Sequence, residues 1–109
     1  MEDLRFTPRA IKEAEDKLKG KPITSIMSEA SMTNLSVLVE KGYADTEDGA
    51  FRRIERYFDE GGDLMHLYLL IMEKLRDAHF LPRDLDLTEA KAALASQTQN
   101  QSSSENTGN

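Results

Sequence analysis

The run "GGDLMHLYLLIMEKL", Gly61 to Leu75, limits what this chain can fold into more than any other stretch. From Leu64 to Met72 only His66 is polar, and a segment that apolar must find cover. Its length decides against a bilayer. A spanning helix takes about 20 apolar residues, whereas Asp63 closes this run on one side and "EKLRD", Glu73 to Asp77, on the other. The run therefore reads as a buried helix of a small domain, as a surface for a partner, or as both. At 109 residues the chain has room for one modest core.

Cover comes from short amphipathic helices separated by clear punctuation. Thr7-Pro8 is an N-cap followed by proline at the first helical position, so a helix is predicted over Pro8 to Leu18 with Ile11, Ala14 and Leu18 inward. Gly20 stops it, and Pro22 opens a second helix to about Glu29, burying Ile23, Ile26, Met27 and Ala30. Ser31 caps a third, with Leu35, Leu38 and Val39 as its stripe and Gly42 as its end. Thr46 caps a fourth, with Glu47 and Asp48 in its first turn and Phe51, Ile54, Tyr57 and Phe58 on its apolar side. Asp48 to Arg52 and Arg56 to Glu60 are spaced for i,i+4 ion pairs. Gly61-Gly62 ends that helix, and Asp63 caps the fifth, which reaches about Phe80.

Pro82 then turns the chain, and Thr88 caps a short helix over Glu89 to Ala95. The tail "SQTQNQSSSENTGN", residues 96–109, is dominated by Ser, Gln and Asn and reads as disordered. "LRFT", Leu4 to Thr7, alternates weakly and, though very short, leaves room for one short N-terminal strand. The expected architecture is an all-α, compact bundle of five to six short helices over residues 1–95, with a disordered C-terminal tail.

Chemistry is sparse. No cysteine is present, which removes disulfides, thiol nucleophiles and thiolate metal sites and makes the cytoplasm the default compartment. "MEDLRFTPRA" carries acids and no apolar core of a secretory signal. His66 and His79 are thirteen apart with no HExxH or other ligand spacing, so no metal site is predicted. "DTED", Asp45 to Asp48, lacks the alternation of a calcium loop and is explained by helix-start electrostatics. "EGGDL", Glu60 to Leu64, lacks the lysine of a phosphate loop, and Ser25, Ser28, Ser31 and Ser36 sit in no GxSxG or SxxK setting. No catalytic residue and no cofactor are predicted. Arg52, Arg53 and Arg56 could touch phosphates from a helix-turn-helix, which makes a small helical DNA-binding regulator the rival hypothesis. Asp48, Glu55, Asp59 and Glu60 interleave with them, however, and the net charge is −6, which weakens the field a nucleic acid would feel.

On a wheel of about 100° per residue, Leu64, Leu67, Tyr68, Ile71, Leu75 and Ala78 share one arc of the fifth helix, an ordinary core stripe. His66, Glu73 and Asp77 lie opposite, toward water. Met65, Leu69 and Met72 form a second stripe at i, i+4 and i+7 beside the core face. That stripe is either closed by neighbouring helices or open to a partner helix, for which methionines suit. Met65, Leu69 and Met72 are therefore the candidate partner-binding residues, and the same edge offers a route to homo-oligomers.

Three stretches together resemble the small tail assembly chaperones of long-tailed bacteriophages and prophages. They are "LRFTPRAIKEAEDKLKGKPI" from Leu4, "TNLSVLVEKGYA" from Thr33, and "YFDEGGDLMHLYLLIMEKLRDAHFLPRDLDL" from Tyr57 to Leu87. The likeness lies in helix lengths and breaks rather than in a catalytic signature. It implies a non-catalytic protein of the host cytoplasm that binds apolar helical segments of the tape measure protein. Such a protein keeps those segments soluble before the tail tube polymerises and is lost from the mature virion. It also implies a longer, frameshifted product whose added C-terminal part recruits tail tube protein. Nucleic acid and membrane are not expected partners.

Overall fold

Four of the five predicted caps start helices, and the fifth, Thr88, lies outside the described residues. In the computed structural model, which describes residues 1–29, 31–84 and 87, the hydroxyl of Thr7 accepts from the Ala10 N–H (3.1 Å), that of Ser31 from Asn34 (3.1 Å) and that of Thr46 from Gly49 (3.0 Å). The Asp63 carboxylate accepts from the His66 N–H at 2.8 Å. Each satisfies one of the amides that a helix start leaves without an internal partner. The helices that follow are α1 (Pro8–Lys17), α3 (Met32–Gly42), α4 (Glu47–Asp59) and α5 (Leu64–Asp77), with the short α2 (Ile23–Glu29) after α1. The fold of the described residues is all-α. The predicted Glu89–Ala95 helix and the 96–109 tail lie outside them, as does Ala30.

The helix ends are built less as expected. Behind α1, α3, α4 and α5 the chain makes the same pair of bonds, 6→1 and 5→2, around one residue of left-handed backbone. Behind α4 that residue is Gly61 (φ 105°), with Gly62 N–H on the Tyr57 carbonyl (2.9 Å) and Gly61 N–H on Phe58 (3.1 Å). Behind α1, α3 and α5 it is Lys19 (φ 64°), Ala44 (φ 52°) and His79 (φ 72°). Gly42 therefore does not cap α3. It is the last residue of that helix, where a Cβ would stand 2.5 Å from Leu4 Cδ1 and 3.3 Å from the Arg5 carbonyl. Its missing side chain admits the N-terminal segment.

That segment is not a strand. Leu4 to Thr7 pairs with no strand among the described residues, and Leu4 and Phe6 are buried in the core. Lys74 of α5 ties it down by donating to the Glu2 carbonyl at 2.7 Å.

The centre of the described residues is α3. Seven consecutive residues, Asn34 to Glu40, are buried, because α1, α4 and α5 each pack on α3 rather than on one another. The sequence marks only Leu35, Leu38 and Val39 as inward. The polar members are buried with their partners: Asn34 Nδ2 donates to the Ile26 carbonyl (3.2 Å), and Ser36 Oγ donates to that of Thr33 (2.9 Å). Glu40 takes Lys17 at 2.7 Å and Lys41 at 3.2 Å. Around this helix close Ile11 and Ala14 of α1, Ile26 and Met27 of α2, Ala50 and Ile54 of α4, and Leu67, Ile71 and Leu75 of α5. Each of the fully buried leucines contributes about 2 kcal/mol by leaving water.

Candidate partner-binding surface

The predicted second stripe of α5 does not survive as a unit. Met65 is 45% exposed, Leu69 only 6%, and Met72 is half-buried against the core. Leu69 is thus a core-side residue, although it lies outside the main cluster, as buried Leu87 also does. Leu64, expected inside, is 37% exposed. It is the first residue of α5. Tyr68 and Ala78 are half-buried against the core, and Glu73 is half-buried and engaged rather than facing water. His66 is exposed, as its place on the wheel suggests; its Nδ1 lies 2.7 Å from Asp63 Oδ1, the atom that also caps the helix. The His66 backbone N–H, then its ring, hold the Asp63 carboxyl below its ordinary pKa.

Among the described residues, the large apolar side chains left to water are Phe51 (36%) and Phe58 (37%) on α4, with Leu64 and Met65 on α5. The two phenylalanines are seven residues apart, two helical turns, so they share a stripe. Ala50 and Ile54 turn into the core beside them. Between Phe58 and Leu64 runs the tight Gly61-Gly62 turn. The Tyr57 ring covers Gly62 so closely that any Cβ there would collide with it, and Phe58 leans beside Tyr57 with ring centres 6.3 Å apart. The sequence did list Phe51 and Phe58 on the apolar side of their helix. What it lacked was the position of α3, which covers only part of that side.

The basic residues of α4 are divided. Arg53 lies 3.8 Å over the Tyr43 ring and donates from Nε to Asp45 Oδ2 at 3.0 Å. Asp45 also accepts from the Thr46 N–H (2.7 Å), and its carboxylate folds back over Gly49, where a Cβ would meet it. The Tyr43 hydroxyl in turn donates to Asp3 Oδ1 at 2.7 Å. Burial, with Asp3 beside it, pushes the Tyr43 phenol far above its ordinary pKa. Asp45 sits below its usual range because of the Thr46 amide and then Arg53. The chain Asp45–Arg53–Tyr43–Asp3 thus pins the N-terminal segment to α4. Neither predicted i,i+4 pair on α4 forms; Asp45 holds Arg53 instead.

The depressions lined by described residues include a shallow one between residues 2–7 and the end of α5, a polar one beside Tyr43 and Arg53, and a small groove between α1 and α4. Lys17 bridges the last, with Glu40 at 2.7 Å and Glu47 at 3.9 Å. No group of three metal-ligating side chains occurs among the described residues, and no helix there is long and apolar enough to cross a membrane. Comparison with protein-family models, with curated proteins and with solved structures finds no match to this chain.

Proposed function

We propose, as to class, a non-catalytic helical binding module. More particularly, we propose a tail assembly chaperone of a long-tailed bacteriophage or prophage, working in the host cytoplasm on apolar helical segments of the tape measure protein. It holds those segments in solution until the tail tube closes around them and is then lost from the particle. A longer, frameshifted product would add the part that recruits tail tube protein. The observation that carries this reading is the exposure of Phe51, Phe58, Leu64 and Met65 on a domain whose core is otherwise closed. Exposed aromatic and methionine side chains are the residues that partner surfaces favour.

The test is co-expression with the tape measure protein of the same genome. The partner is expected to move into the soluble fraction and to co-purify; an insoluble partner and no complex would sink the idea. Met65→Ser is expected to weaken the complex without loss of helicity. Leu69→Ser and Met72→Ser test core packing rather than contact.

The DNA-binding rival would use α3 and α4. With α3 walled in by the four other helices and Arg53 committed to Tyr43 and Asp45, only Arg52 and Arg56 of the three arginines are exposed. That is a thin basis for neutralising a duplex backbone. A mobility shift at low salt that disappears in Arg52→Gln/Arg56→Gln would revive it.

A further inference from the structure

On α4, Phe51 and Phe58 lie within about 20° of each other around the helix axis, with Glu55, Asp48 and Asp59 following at about 40°, 60° and 80° from Phe51. Arg52 and Arg56 come only beyond them, at about 100° and 140°. The apolar stripe is thus bordered along its whole water-facing edge by a row of three carboxylates. All three are exposed, and none has a cation partner among the described residues. On the other edge Glu47 adds a fourth acid, only weakly held by Lys17 at 3.9 Å.

We propose that this face of α4 docks an amphipathic helix whose apolar stripe is flanked on its near side by lysine or arginine. The proposal rests on the binding-module reading above and deepens it by fixing the charge of the occupant. The phenylalanines supply area without direction; the acids at i, i+7 and i+11 select partners whose cations fall at matching heights. An acidic flank would meet repulsion before it could reach Arg52 or Arg56. A second copy of this chain is disfavoured by the same row, since antiparallel pairing of two α4 helices sets Asp48, Glu55 and Asp59 of one against those of the other. The net charge of −6 favours the encounter with a basic partner over self-encounter.

The experiment uses the full chain and three synthetic helical peptides of about 18 residues, roughly 27 Å long. They share one leucine stripe and carry lysine, glutamine or glutamate along its flank. Fluorescence anisotropy is expected to rank them lysine, glutamine, glutamate, with about tenfold between the first two at low salt and the gap closing as salt rises. In Asp48→Asn/Glu55→Gln/Asp59→Asn the lysine preference is lost while the glutamine peptide binds as before. In Phe51→Gln/Phe58→Gln all three peptides weaken, with helicity by circular dichroism as the control for folding. Equal binding of the three peptides, the reverse order, or affinities untouched by the phenylalanine changes would overturn the proposal. So would a dimer in sedimentation that Phe51→Gln dissolves. Co-expression separates the two levels. If the acid-free variant solubilises the tape measure protein as well as wild type does, the chaperone reading stands and the charge rule falls. If wild type itself fails, the chaperone reading falls while the peptide ranking still decides the charge rule.

Discussion

Gly42 and Ala44 sit two residues apart and call for opposite substitutions. At Gly42 a methyl group would press on Leu4 and on the Arg5 backbone, so Gly42→Ala is expected to cost about 1–3 kcal/mol through displacement of the N-terminal segment. At Ala44 the backbone is left-handed (φ 52°), a conformation that costs a residue with a Cβ about 1–2 kcal/mol. Glycine removes that cost and returns part of it as greater freedom in the unfolded chain, so Ala44→Gly is expected to stabilise by about 0.5–1 kcal/mol. Urea midpoints of the two variants read both signs. A neutral Gly42→Ala would mean that Leu4 yields without loss and that the close approach is incidental. The glycine at 42 is visible in the sequence, but its reason is not. Close approach by a segment almost forty residues away leaves no local signature, and a glycine near a helix end looks like a cap.

At the scale of the element, helix starts were legible and helix surroundings were not. Thr7, Ser31, Thr46 and Asp63 cap where their spacing says, because capping is a bond between near neighbours. The stop signals are less tied to residue type, since a lysine, an alanine and a histidine take the left-handed position that glycine takes behind α4. What periodicity misjudged was which helix is surrounded. Leu35, Leu38 and Val39 give α3 a single apolar stripe on a wheel, yet Asn34, Ser36 and Glu40 are buried as well, each with a hydrogen-bonding or charged partner. For α5 the wheel leaves two alternatives, a helix closed in by its neighbours or one open to a partner. An apolar arc wide enough for a central helix leaves Leu64 and Met65 in water while Leu69 is covered. Stability separates the members of the supposed stripe. Leu69→Ser is expected to cost about 2–4 kcal/mol, and Met65→Ser to stay within about 0.5 kcal/mol. Equal losses in thermal melts would show that both are core.

Across the whole molecule, the all-α class and five helices were readable from pattern alone, whereas the hub was not, because it is a property of contacts between elements. The hub also carries the clearest dependence on pH. Burial by itself would raise the Glu40 carboxyl, but the ammonium groups of Lys17 and Lys41 outweigh it and hold the folded pKa below the ordinary glutamate value. A depressed carboxyl lends stability that is complete above the unfolded pKa and is lost as pH falls through the folded one. Asp3 (through the Tyr43 hydroxyl), Glu29 (through Lys21), Asp45 and Asp63 are shifted the same way. The melting temperature is therefore expected to hold between about pH 6 and 8 and to fall below about pH 4.5. Glu40→Gln should flatten part of that fall, and an unchanged profile would remove Glu40 from the account. The radial packing on α3 also orders events at the ribosome, where chains emerge and fold from the N-terminus. α1 leaves the exit tunnel with only the short α2 to meet until α3 follows, and α4 can then close against α3. The helix with the longest apolar run, α5, emerges last among them, when α3 is already there to receive it. During synthesis the segment most prone to aggregate thus spends the least time without a neighbour.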